Sequence, residues 1–407
     1  MQHYFDYILS TFFMIYSCEL IPVITYGETR GDIRIADRTS SFFQSTSPAP
    51  PYVHKKVWKS TEIPFLSTDS ATPETIIEHT ESGVQIRMDI IGSAFYFLSG
   101  WQEYHSQKRD DFGRYPYQES FQYQHGYMKT PVVNYYFDIL KQAIEQVTNT
   151  KVTRKLWPDD DIAISISHDI DKINGGWKED GLHALKKGRG LEMTKLLFRR
   201  LFKKDTWENI DDILHFEKTQ GIRSTFFFLP KKDKFNADYK LEQVQPYFDD
   251  IERQGSEIGV HGSLGTGVHA HLLETEIKRF DRAVYGNRFH FLSAEPSAYG
   301  TLIEDSGLTY DTTMGFAEHI GFRHGYCFPF YPYDIVHQRP FSFIELPLTI
   351  MDATLRNPAY MGGSDDVEEA LEHLVREVCL FNGLLTILWH NNFYTDGKFK
   401  SWKSRLT

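Results

Sequence analysis

The stretch Ile162-Ala163-Ile164-Ser165-Ile166-Ser167-His168-Asp169-Ile170-Asp171 opens as an apolar alternating run and stops on two carboxylates one residue apart. A buried strand that ends by presenting acidic side chains is how a parallel α/β sheet brings chemistry to its C-terminal rim. Residues two apart on an extended chain share a side, so one of Asp169 and Asp171 is placed to bind a cation while the other stays free as a base.

From residue 162 onward the pattern alternates between strand and helix. A helix over 205–219, capped by Asp205 or Thr206 and stopped by Gly221, leads into a buried strand at 224–229. A helix over 241–254 precedes a strand at 257–261 that ends in His261. Helical 272–285 is followed by strand-like 288–292, which carries Arg288 and His290. Helical 297–306, a strand at 343–347, a helix over 366–381 and a fully buried strand at 384–390 ending in His390 complete the series. Such alternation with right-handed crossovers predicts a parallel sheet or barrel flanked by helices. A carboxylate with imidazoles at neighbouring strand ends suits Zn²⁺ or a similar divalent ion, with remote His390 placed to protonate a leaving group. Glu345 and Asp352 are candidates to orient a ligand histidine, and Asp311 either tunes His390 or caps the turn at Thr312-Thr313.

Residues 1–157 read differently, as a mixed α/β region without a catalytic cluster. A buried helix over 4–18 leads into a strand at 21–26; further strands are expected at 33–35 and 83–88, and helices over 89–104 and 132–147. The polar 105–117 reads as a loop and 157–160 as a linker, which divides the chain into a smaller N-terminal domain, 1–157, and a second domain, 158–407. The net charge of −11, from 44 basic and 55 acidic residues, argues against non-specific binding to nucleic acid or anionic membrane. The basic run over 186–204 is interleaved with leucines at helical spacing and reads as an amphipathic surface helix. Three scattered cysteines exclude a disulfide framework. The apolar 8–16 is too short for a membrane span and lacks a preceding Lys or Arg, so a cytoplasmic protein is expected.

The motifs at the strand ends bear a family likeness. The segment 162–390 resembles the polysaccharide deacetylases, carbohydrate esterase family four with the NodB homology domain, whose fold is a distorted (β/α) barrel and whose activity is metal-dependent removal of acetyl groups from sugars. Ser167-His168-Asp169-Ile170-Asp171 is similar to their first motif, which implies Asp169 as general base and Asp171 as metal ligand. Glu257-Ile258-Gly259-Val260-His261-Gly262-Ser263 is similar to the second, implying His261 as ligand, and Arg288-Phe289-His290-Phe291-Leu292 to the third, whose arginine steers the aspartate. Tyr310-Asp311-Thr312-Thr313-Met314-Gly315 resembles the following wall, and Leu385-Thr386-Ile387-Leu388-Trp389-His390 the fifth motif, implying His390 as general acid. Phe95-Tyr96-Phe97-Leu98-Ser99, Glu103-Tyr104, Asp111-Phe112-Gly113-Arg114 and Pro131-Val132-Val133 resemble an N-terminal domain of unknown role found before such domains in some bacterial proteins.

The likeness has departures. Gly265 stands where the second motif usually places another histidine, and His290 stands where the third has proline. The third ligand is then His290 or one of His269 and His271 in the loop after His261; the remaining alternatives are a two-ligand site filled by water and no metal at all. The resemblance implies a zinc-type hydrolase acting on N-acetyl or O-acetyl groups of a sugar or glycan precursor; the alternative is a degenerate, glycan-binding relative. Aromatics near the expected rim, among them Phe289, Phe291, Tyr299, Phe316, Phe322, Tyr326, Phe328, Phe330, Tyr331 and Trp389, suit either sugar stacking or core packing, and core packing is the expectation for most.

Overall fold

The computed structural model describes residues 2–81, 83–178, 182, 194, 205–357, 360 and 367–394. The basic run over 186–204 lies outside the described residues except at 194, and so does the first residue of the helix expected over 366–381.

The dominant element is an eight-stranded sheet in which every pair of neighbours is parallel. Its spatial order is Ile344–Glu345, Tyr310–Asp311, Gly286–Phe289, Glu257–Gly262, Thr225–Phe228, Ala163–Ile170, Leu384–His390 and Ile350–Met351. The two edge strands are consecutive in sequence, joined only by 346–349. A flat sheet of eight strands would hold its edges roughly 34 Å apart, whereas that connection reaches at most about 18 Å. The sheet is therefore curled into a distorted (β/α) barrel, left open between its two shortest edges.

Ala163–Ile170 lies third from one edge of this sheet, paired with Leu384–His390 from Ala163 against Leu384 to Asp169 against His390. On its other side Ser167 to Ile170 pair with Thr225 to Phe228, which in turn pair with Glu257 to Val260. His261 then sits opposite Arg288. Register thus brings Asp169, His261, Arg288 and His390 to the same rim. Beneath the rim, Ile170, Phe226, Phe228, Ile258, Val260 and Phe289 pack with the flanking helices into one apolar cluster.

The helices depart from expectation where local polar groups intervene. The helix expected from residue 205 runs over Ile210–Gln220. Asp205 instead accepts from the backbone N–H groups of Gly175 and Gly176, at 3.0 and 2.9 Å, and so ties down the loop that follows Asp171. The 241–254 segment is three short helical pieces, interrupted by Gln245–Tyr247, because Pro246 cannot donate within a continuous ladder. Ala270–Ile277 and Tyr299–Ser306 are shorter than expected, and 288–292 is a strand only to Phe289 before a tight turn.

Before the barrel, Gln2–Ile15, Ile90–Leu98 and Val132–Thr148 pack on a four-stranded sheet of Ile24–Tyr26, Ile33–Ile35, Gly83–Ile86 and Ile77–Thr80. Asp89 caps Ile90–Leu98 through Gly92 N–H at 2.7 Å and also accepts from Tyr26, Arg38 and Thr39. Burial raises its carboxyl to about 6. The helix expected over 89–104 breaks at Gly100, whose φ of +64° starts the separate Trp101–His105 turn. A hairpin of Tyr52–Trp58 and Thr61–Ser67 escaped the sequence reading: its two-residue turn is Lys59-Ser60, both at positive φ, without the Asn or Gly that normally marks one. The apolar core of this region is continuous with barrel residues such as Phe322, Tyr326, Phe328, Leu374 and Leu385.

Candidate metal centre and active site

Asp169 is buried, and its Oδ1 accepts from Arg288 Nη1 at 2.8 Å. Arg288 is fully buried and fixed on three further sides: Nε and Nη2 donate to Thr312 O and Oγ1, and the guanidinium lies 4.8 Å above the Phe227 ring. Burial alone would raise the Asp169 carboxyl; His261, Arg288 and His390 outweigh it and hold the group below the ordinary aspartate value.

His261 decides the character of the centre. Its Nδ1 is 2.7 Å from Arg288 O, which can only accept, so Nδ1 carries the proton. Nε2 then faces Asp169 Oδ2 and Asp171 Oδ1, each at 3.4 Å. Lone pair against two carboxylates is repulsive, so this geometry calls for a positive charge between them, either a proton on Nε2 or a cation. Nε2 of His261 and Oδ1 of Asp171 are both buried and lack any hydrogen-bond partner. His290 brings Nε2 to 3.7 Å from Asp171 Oδ2. Asp171, His261 and His290 are the cluster of metal-ligating side chains among the described residues, with donor atoms within 4.8 Å of one another. One carboxylate oxygen and two imidazole nitrogens are the donor set of a catalytic zinc-type site with open positions, so the residues present fit a divalent ion. Burial lowers His290, which favours the neutral ligand form. Asp171 lies well below its usual range because His290 and His261 outweigh its desolvation.

Neither position 265 nor the loop after it brings a side chain to this cluster. Gly265 has φ of +96°, a conformation that residues with side chains rarely adopt, and His269 and His271 are exposed, their rings tilted against each other with centroids 5.9 Å apart, outside the cluster.

His390 stands across the centre. Its Nδ1 is 2.6 Å from Asp352 Oδ1 and its backbone N–H donates to Asp352 Oδ2 at 2.8 Å, while Nε2 points to Asp171 Oδ2 at 3.8 Å. Burial would lower the imidazole, but Asp352, then Asp171 and Asp169, raise it to about 10. Asp352 thus orients His390, and not one of the metal-ligating histidines His261 and His290 as expected. Glu345 does not: it accepts from Met314 N–H and the Tyr299 hydroxyl. Asp311 likewise leaves His390 alone and takes the capping role, accepting from Asn287 Nδ2 and from Thr313 N–H and Oγ1.

These groups open into a cavity of about 430 Å³. Asp171, 16% exposed, faces it together with Asp169, His290 and His390. Of the rim aromatics singled out in the sequence, Phe291 lines it; Phe289, Phe322, Tyr326, Phe328 and Phe330 are core. Lys172, Lys234 and Asn236 line it too, and so do Phe112 and Arg114 from the N-terminal region. None of these five was read as a site residue, because each reaches the cavity from a loop whose path no periodicity reveals.

Residues 1–149 match a family described as a family of unknown function (DUF7033). No curated protein matches the chain significantly. Among solved structures, the chain is similar to the wild-type CE4 family pseudoenzyme from Bacillus anthracis, with 8% identity over 56% of this chain and 64% of that one, at a TM-score of 0.24. A mutant of a CE4 family pseudoenzyme with restored enzymatic activity gives 9% identity over 57% and 66%, also at 0.24, so the chain spans just under two thirds of these neighbours. The catalytic domain of peptidoglycan N-acetylglucosamine deacetylase from Eubacterium rectale gives 9% identity over 60% and 84%, at 0.28.

Proposed function

We propose that the protein is a metal-dependent hydrolase that removes acetyl groups, foremost N-acetyl, from a sugar or glycan precursor. The observation that carries this reading is the arrangement around His261: a divalent-ion donor set lies beside an ionised, arginine-held carboxylate and an aspartate-held histidine, all facing one cavity. Asp171, His261 and His290 would hold the ion, which when bound supplies Lewis acidity toward an acyl oxygen and toward water.

The chain's own groups then divide the proton work. Asp169, kept ionised by Arg288, accepts a proton from the attacking water as the new C–O bond forms. His390, kept cationic by Asp352, donates a proton from Nε2 to the departing nitrogen as the C–N bond breaks, leaving acetate and an amine. The backbone N–H of Phe289 is taken by Thr313 Oγ1 at 3.0 Å, so it is not free to meet negative charge on the substrate. The intact pairings Asp169–Arg288 and His390–Asp352 favour hydrolysis over a purely glycan-binding role, since binding alone needs neither.

Acetate release from N-acetylated glucosamine oligomers and from O-acetylated sugars tests the reading. Asp169→Asn keeps the size of the side chain and removes the base, and turnover should fall by about 10²–10⁴-fold with zinc still bound. Undiminished turnover in that variant would falsify the assignment of Asp169.

A further inference from the structure

The third ligand, His290, precedes a strained turn. Phe291 and Leu292 have φ of +59° and +55°, consecutive left-handed conformations in bulky residues. Each costs on the order of 1–2 kcal/mol and persists only where surroundings over-determine it. Leu292 is buried in the barrel against Ala317, Leu348, Met351 and Leu388, whereas Phe291 is held from the N-terminal region. Arg114 Nη1 donates to Phe291 O at 3.0 Å, the Phe112 ring stacks on the Phe291 ring at 4.8 Å and 28°, and Ser293 Oγ donates to Phe112 O at 2.6 Å. The clamp is itself rigid. Gly113, at φ +76°, lets residues 110–114 close on themselves, with Asp110 accepting from the backbone N–H of Phe112 and Arg114 and from Arg114 Nε, and Glu318 holds the other face of the guanidinium. The His290 ring in turn lies flat on Phe291, at 4.0 Å and 26°.

We propose that the Asp110–Arg114 turn of the N-terminal region is a positioning device for the metal centre: Arg114 and Phe112 lock the Phe291-Leu292 turn and thereby aim His290 at Asp171 and His261. The inference rests on the metal-site reading above and gives the region matched only to a family of unknown function a task at the barrel's site. It also accounts for a ligand on this strand end. A histidine followed by two left-handed residues needs support to hold one orientation: Asn236 Oδ1, 3.3 Å from His290 Nδ1, supplies part of it from the barrel, and the first half of the chain holds the turn that follows.

Zinc affinity, measured on the full-length protein by competition with a chromophoric chelator, tests this. Arg114→Ala should weaken zinc binding by about 10-fold or more, as loss of a ligand-orienting partner does. In a His290→Ala background the same change should add nothing, since its effect runs through His290. Arg109→Ala, which breaks the neighbouring cross-region pair with Glu295 without touching the turn, should leave affinity unchanged. Phe112→Ala, which removes the ring stack and keeps the Arg114 bonds, should give a smaller loss and serves in place of Arg114→Ala if that variant does not fold. Unchanged affinity in the clamp variants, an equal loss in Arg109→Ala, or a loss that persists without His290 overturns the proposal. Wild-type protein that binds no zinc overturns the metal-site reading itself, and the positioning role with it.

Discussion

Two carboxylate clusters occupy the barrel, and from sequence alone they look alike. At the rim, Asp169 and Asp171 share His261; deeper in the barrel, Asp311 and Glu345 sit side by side in register on adjacent strands. In the first, histidines and Arg288 hold both carboxyls below their ordinary values. In the second, burial is the largest influence and both are raised, Glu345 strongly, with neutral donors from Asn287, Thr313, Tyr299 and Met314 as partners. Desolvation is common to the two, so neighbouring cations decide which pair stays ionised and able to take a proton or bind a metal. The rim pair is held ionised by its cationic neighbours, whereas the deep pair is tied to neutral donors.

The contrast breaks most visibly if the rim loses a charge. Asp352→Asn removes the carboxylate that raises His390, so turnover should fall by about 100-fold. The alkaline limb of the pH–rate profile should move to lower pH, because the less basic imidazole loses its proton sooner. A drop in rate with an unmoved alkaline limb would show that His390 is not the acid.

Metal binding sharpens the same comparison. His261 is raised, despite its burial, by Asp169 and Asp171, so an ion must displace its proton. Zinc affinity should therefore fall as pH decreases through the histidine range, and calorimetry in buffers of different ionisation enthalpy should detect proton release. Binding without proton release would mean that His261 is already neutral and the site already balanced.

The smallest effect is expected at the deep pair. A carboxyl raised in the folded state contributes stability that is full below its unfolded value and lost as pH rises through the folded one. Glu345→Gln should thus gain on the wild type as pH increases from acid to neutral, by about 2–4 °C in Tm for each kcal/mol, while acetate release is retained. A variant that instead loses ground to the wild type with rising pH would place a charge-stabilised carboxylate at 345.

Much of the site was legible because a strand's period fixes which residues leave it at the rim. Asp169, Asp171, His261, Arg288, His290 and His390 could be read one strand end at a time, whereas Asp352 could be read only as a carboxylate able to orient a ligand histidine, and its partner is His390. Asp205 was misread as a helix cap, since a carboxylate N-terminal to an amphipathic run looks the same whether it serves its own helix or the distant Gly175 and Gly176. Glu345 and Asp311 were ambiguous for the reason the two clusters teach: a carboxylate's role lies in its neighbours' charge.

The sequence by itself determined the alternation of strands and helices, the parallel sheet and the residue types at each strand end, because hydrophobic period and local capping are properties of neighbours along the chain. Tertiary structure decided which strand end brings a third metal-ligating side chain beside Asp171 and His261, which carboxylate orients His390, and that Phe112 and Arg114 reach the cavity from the N-terminal region. These are contacts between residues as far apart as Arg114 and Phe291, set by curling the sheet and docking the first region on it, and no local pattern encodes them.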